Sequence, residues 1–187
     1  MFKTTLLNAT TALAITAGSA FAESHASTNN PMVGGAPMFP DKNIVENAVN
    51  SADHTTLVAA VTAAGLVDTL QTPGPFTVFA PVNDAFAALP EGTVDTLLQP
   101  ENKDTLVKIL TAHVVAGDIS AQDIKNNIGS DGFYHMDTVS GDALSAKVQG
   151  NSIYIFDESG NAGRISISNV NQSNGVIHVV DKVLLPK

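Results

Sequence analysis

Four turn-forming tripeptides punctuate the second half of the chain: Ser140-Gly141-Asp142, Gln149-Gly150-Asn151, Ser159-Gly160-Asn161 and Ser173-Asn174-Gly175. They recur at spacings of roughly ten residues, the rhythm of short strands joined by tight turns. The runs they separate are Phe133–Val139, Leu144–Val148, Ser152–Phe156, Gly163–Ser168 and Val176–Leu185. None of the gaps can hold a crossover helix, so successive strands must double back on one another. The second half is therefore expected to be an antiparallel meander.

The first half has a different period. Ile44, Val45, Ala48 and Val49 fall at helical spacing, as do Leu57, Val58, Val61 and Ala64, with Gly65 as a stop. A short turn through Leu66, Val67 and Leu70 ends at Thr72-Pro73-Gly74-Pro75, a strong breaker. Phe76–Ala80 reads as an early aromatic strand closed by Pro81. Asn83 is placed to cap a short helix carrying Phe86 and Leu89, with Asp84 in its first turn. A further turn carries Val94, Leu97 and Leu98. Pro100 then opens a helix whose one face holds Leu106, Ile109, Leu110 and His113. Val114-Val115 reads as a short strand ending at Gly117. Ser120 and Asp123 form a capping pair for a last helix. Helices first and strands later, with one early strand, make the class α+β with an antiparallel sheet.

The N-terminus reads as a targeting segment. Lys3 precedes an apolar stretch from Leu6 to Ile15, and Ala20-Phe21-Ala22 is a small-x-small pattern that places cleavage after Ala22. Residues 23–40, polar and then rich in Gly and Pro, are expected to be a flexible leader, and the folded domain to start at Asp41. His25, Met32 and Met38 in that leader are too scattered to pre-organise a soft-metal site. No later apolar run reaches the length of a membrane span. Periplasm and full secretion both remain open. There is no cysteine, so an exported chain of this kind carries neither a disulfide nor a lipid-anchor thiol. All 18 acidic residues but only 8 of the 9 basic ones lie beyond Ala22, a net charge of −10. Nucleic acid is excluded as a partner on that ground, because it needs clustered Lys and Arg.

Catalytic signatures are missing. There is no G-x-S-x-G elbow, no H-E-x-x-H and no thiol. His135 and Asp137 share a strand face but give only two ligands, too few for a metal centre. Asp157-Glu158-Ser159-Gly160-Asn161 opens like a calcium loop, yet Ala162 stands where the loop needs Gly and Ser168 where it needs an acid. A hairpin turn accounts for it better. No cofactor is expected.

Three segments carry a resemblance. Phe76-Thr77-Val78-Phe79-Ala80-Pro81-Val82-Asn83-Asp84-Ala85-Phe86 resembles the first signature box of fasciclin domains. Gly175-Val176-Ile177-His178-Val179-Val180-Asp181-Lys182-Val183-Leu184-Leu185-Pro186 resembles the closing box. Leu110-Thr111-Ala112-His113-Val114-Val115-Ala116-Gly117 resembles the tyrosine–histidine segment between them, with Ala112 where the family commonly has Tyr. The resemblance covers Asp41 to the end. It implies a wedge: a sandwich-like antiparallel sheet flanked by short helices, serving adhesion without catalysis. It also implies partner-binding roles for His113 and, near the family's adhesion motif, for Asp181 and Val183. Bacterial members are similar in being single-domain and exported.

The residues supply a further expectation. Alternation along the last strand puts Ile177, Val179, Asp181, Val183 and Leu185 on one face. A carboxylate in an apolar row must be hydrogen-bonded. Asp181 is therefore expected in a structural polar network with Asn83 and His113. The functional expectation is an exported, non-enzymatic module that binds a cell-surface or matrix protein or a glycan. The alternative is a periplasmic carrier of a small ligand or metal, with a pocket between sheet and helices. The oligomeric state is left open.

Overall fold

The computed structural model describes residues 30–187. The expected signal segment lies outside them. The described chain opens with a hairpin, β1 (Met32–Val33) against β2 (Ala36–Pro37), turned by Gly34 and Gly35 at positive φ. Val33 and Met38 are buried in the main core. The leader expected to run to residue 40 is thus corrected: from about Pro31 onward it packs on the domain. Asn47 is the reason. Fully buried, its side chain accepts from the Phe39 N–H (3.0 Å) and donates to the Phe39 carbonyl (2.7 Å) and to Gln172.

The helical half follows as α1 (Ile44–Ala48), α2 (Thr55–Ala64) and α3 (Val67–Leu70). Gly65 ends α2 in the left-handed conformation that a C-terminal cap requires. Strand β3 (Phe76–Pro81) is followed by α4 (Asn83–Ala87), α5 (Thr93–Leu97), α6 (Lys103–Thr111), β4 (Val114–Ala116) and α7 (Ala121–Asn126). The Ser120–Asp123 capping box forms as expected. Strands β5 (Tyr134–Asp137), β6 (Ala143–Gln149), β7 (Ser152–Phe156), β8 (Ala162–Gln172) and β9 (Gly175–Val180) complete the chain.

The seven long-sheet strands lie in the order β4-β3-β9-β8-β7-β6-β5. A bridge from Val115 to Thr138 brings the end of β5 back to β4, so the sheet nearly closes on itself. The meander from β5 to β9 is antiparallel as expected. One pair is not: β3 runs parallel to β9, from Phe76 beside Gly175 to Pro81 beside Val180. A parallel pair needs a long crossover, and everything from α4 to β8 supplies it.

These two central strands are buried on both faces, which explains their near-continuous apolar sequences. Val78, Ala80, Ile177 and Val179 face the helical layer in one core. Phe79 and Val180 face the inside of the curled sheet, with Leu144, Ile155 and Leu184, in a second. β8 spans both by bending. Its register shifts twice, and Asn169, at φ 58°, takes the left-handed conformation that Asn tolerates.

Candidate functional site

Asn83, His113 and Asp181 make their hydrogen bonds to separate partners and not to one another. Asn83 is the first residue of α4, and its side chain does not cap that helix. Its Oδ1 accepts from the Thr56 N–H (3.0 Å) and the Thr55 hydroxyl (3.2 Å), and its Nδ2 donates to the Ala52 carbonyl (2.8 Å). It caps the start of α2 from across the fold. Val183 is buried in the main core. Asp181 lies just beyond the end of β9, where strand alternation no longer applies, and its side chain is 45% exposed. Its Oδ1 accepts from the Arg164 N–H (2.7 Å), and its Oδ2 lies 3.8 Å from Arg164 Nε. The buried position expected of it is corrected on those grounds.

The buried carboxylate belongs to Asp157. Its Oδ1 accepts from the N–H groups of Ser159 (3.0 Å) and Asn161 (2.9 Å), tying the β7–β8 turn. Its Oδ2 accepts from Asn161 Nδ2 (3.0 Å) and from the Leu185 N–H (3.0 Å). His113 holds the neighbouring amide. Its Nδ1 donates to the Ile109 carbonyl (2.8 Å), so its Nε2 is free to accept from the Leu184 N–H (2.9 Å). Burial drives the His113 pKa down to about 4, against the opposing pull of the Ile109 carbonyl and the Asp157 charge. Protonating Nε2 would set one N–H against another. Two side chains far apart in sequence thus lock consecutive amides of the closing segment. Asp157→Ala should lower stability by about 2–3 kcal/mol, since the Leu185 amide loses a charged acceptor in a partly buried setting. An unchanged urea midpoint would refute that role.

A pocket of about 350 Å³ lies between the helical layer and the β3–β9 face. Val33 and Met38 of the hairpin segment, Leu57 and Val61 of α2, Phe76 of β3 and Ile177 of β9 are among its walls. Among the described residues no Asp, Glu, Lys or Arg lines it. The volume falls in the range of small-molecule sites, roughly 300–1,000 Å³.

The polar side chains in the walls are mostly spoken for. The Thr62 and Thr111 hydroxyls donate to the Val58 (2.8 Å) and Val107 (2.7 Å) carbonyls. His113 is engaged at both nitrogens. His54, only 3% exposed, uses Nδ1 with the Ser51 hydroxyl at 2.9 Å. Its Nε2 is buried with no hydrogen-bond partner among the described residues. Burial lowers the His54 pKa, partly offset by the Ala80 carbonyl and the Asp53 charge, so the ring is neutral at pH 7. The third buried histidine, His178, packs against Phe79 and holds the Ile119 carbonyl at 2.8 Å from Nε2. Its pKa too is lowered by burial.

Sequence reasoning offered a pocket between sheet and helices only as part of the carrier alternative and named neither its walls nor His54, because a wall of apolar residues at helical spacing reads the same as a packed core. Nor did it find Asn174. Its Oδ1 accepts from the Ile44 N–H (3.0 Å), and its Nδ2 donates to the Leu70 (2.7 Å) and Thr72 (3.1 Å) carbonyls. Among the described residues no three His, Asp or Glu side chains gather as metal ligands. His135, one of the paired candidates, binds Asp131 (2.7 Å) and Ser145 (2.9 Å) at an exposed site.

Comparison with known proteins agrees with this architecture. The chain is 46% identical over 167 residues to protein sll1483 of Synechocystis, covering 89% of this chain and 86% of that protein. It is 37% identical over 144 residues to immunogenic protein MPT70 of Mycobacterium tuberculosis, covering 74% and 66% respectively. Its fold is similar to that of a FAS1 domain pair from the insect cell adhesion molecule fasciclin I, with a TM-score of 0.70 at 17% identity, covering 78% of this chain and 51% of that one. The sequence model of the fasciclin domain matches residues 52–186. The chain belongs to the fasciclin domain family, a family of non-enzymatic binding domains.

Proposed function

We propose that the protein is exported and works as an adhesion or interaction module, binding a protein or glycan of a cell surface or matrix. What carries this reading is the fasciclin architecture itself, which is similar to that of an insect cell adhesion molecule. The nearly closed sheet and its two cores make a rigid scaffold, and rigid scaffolds suit presentation of a surface to a large partner. Of the three residues first considered for contact, His113 and Val183 are buried, so a partner could reach only Asp181. Asp181, beside Lys182 and Arg164, lies on an exposed rim at the end of β9. No helix of the described residues is long and apolar enough to cross a membrane.

Deletion of the gene should reduce attachment of the source cells to surfaces, and the wild-type gene should restore it. Asp181→Ala, which removes one exposed carboxylate, should restore it less well while melting normally. Cells that attach equally with and without the gene would overturn the proposal. Among the described residues no observation favours the metal half of the carrier alternative. The small-ligand half has one, the pocket.

A further inference from the structure

The geometry points to a binding site for an uncharged lipophile, one that carries a hydroxyl or carbonyl group, between α1–α3 and the β3–β9 face, with His54 Nε2 as its polar anchor. This goes beyond an adhesive role and does not depend on it.

Three independent observations converge. The first is the pocket's size and wall, about 350 Å³ with no charged side chain among the described residues. An apolar body suits such a wall, whereas a carboxylate or ammonium would be buried unpaired. The second is the anchor. His54 Nε2 is a buried polar atom with no hydrogen-bond partner among the described residues, on a side chain that lines this pocket. Buried polar atoms are rarely left unpaired, and an orphan of this kind calls for an explanation. The Ala80 carbonyl influences the ring but does not stand in hydrogen-bonding geometry to Nε2. The Ser51 hydroxyl can either donate to Nδ1 or accept from it. Nε2 can therefore serve as donor or as acceptor, and an alcohol, which does both, suits either tautomer.

The third observation is where the exposed apolar side chains lie. Val49 and Val139 are about half exposed, at 55% and 49%, and both line the pocket. Met32, at 57%, precedes Val33, which also lines it. Apolar exposure thus gathers around the pocket, as a mouth for a lipophile would require. The hairpin that carries Val33 is pinned over the single 3₁₀ turn at Ala52–His54: the Gly34 carbonyl accepts from the Ala52 N–H (3.1 Å). A Cβ on Gly34 would lie 2.4 Å from the Ser51 hydroxyl that orients His54. The hairpin and the anchor are therefore built as one unit.

The test uses three ten-carbon probes, 1-decanol, decanoate and decane, on the purified protein at pH 7.5. Thermal melting and isothermal titration are read for wild type, His54→Leu and Val61→Phe. Decanol at about 100 times its Kd should raise the wild-type Tm by about 5–10 °C. Decanoate should bind at least about tenfold more weakly, because its charge has no partner. His54→Leu should weaken decanol about tenfold and leave decane unchanged. Val61→Phe, which fills the pocket, should abolish binding of all three. The assignment is overturned if decanol fails to bind wild type, if decanoate binds as tightly as decanol, or if His54→Leu leaves the decanol affinity intact. The wild-type ranking decides the matter even if a variant does not fold. Loss of lipophile binding would leave the attachment phenotype untouched, so the two proposals fail separately.

Discussion

Acidifying the protein from pH 7 to pH 4 is expected to cost about 3 kcal/mol of stability through His113 alone. In the unfolded chain this imidazole titrates near 6.5, whereas in the fold it does so at about 4. Between those values the unfolded state holds a proton that the folded state refuses. Stability is therefore full above pH 6.5, falls as pH drops through the window, and falls no further on this account below pH 4. At about 1.4 kcal/mol per pH unit the window is worth about 3 kcal/mol. The cause is specific: Nε2 must stay bare to accept the Leu184 amide. His54 and His178, whose values burial also lowers, push in the same direction. Urea midpoints measured from pH 4 to 7.5 should fall steeply for wild type. His113→Gln cannot titrate, so it should start less stable at pH 7 and lose less on acidification. Equal slopes for the two proteins would show that His113 does not supply the effect.

The sequence carried the architecture in its local chemistry. The turn tripeptides marked where the meander strands end, and the Pro/Gly breaker before Phe76 marked where β3 begins. What it did not carry were facts that depend on distant neighbours. The parallel pairing of β3 with β9 joins segments about a hundred residues apart, and no local pattern states the direction of such a pair. Alternation extended past Val180 puts Asp181 in a buried row, but the strand ends at Val180, one residue before it. Asp157 was visible only as a turn residue, although its Oδ2 reaches the Leu185 amide. The hairpin at Val33–Ala36 did have a signal, the Gly34-Gly35 pair between apolar residues, and it was hidden by the flexible composition around it. The pocket, expected only under the carrier alternative, had no local signal to mark its walls. A helix face that lines a cavity and one that fills a core obey the same period.

Gly175→Ala is expected to be severely damaging for a change of one methyl group, with a loss of about 3–5 kcal/mol. Gly175 opens β9 at φ +155°, opposite Phe76 of β3. A Cβ there would lie 2.0 Å from the Phe76 carbonyl oxygen and 2.8 Å from Phe76 N, both backbone atoms that cannot swing aside. The adjoining Gly74 is equally tight, since its Cβ would lie 2.1 Å from the Asn174 carbonyl oxygen. That carbonyl accepts the Phe76 N–H (3.1 Å), so the two central strands begin with backbone pressed on backbone. Gly160→Ala separates the clash from conformational strain. Gly160 also has positive φ, +83°, but nothing lies within 4 Å of its Cβ position, so its substitution should cost about 1–2 kcal/mol. Equilibrium denaturation of the two variants should differ by about 1–4 kcal/mol, and equal losses would mean that strain alone acts at Gly175. The contrast matters beyond stability. The strand that Gly175 starts carries Ile177 into the pocket wall and runs toward the Leu184 and Leu185 amides that His113 and Asp157 hold. A misplaced start to β9 should therefore loosen both the pocket and the closing lock, so Gly175→Ala protein that still folds should also lose decanol binding.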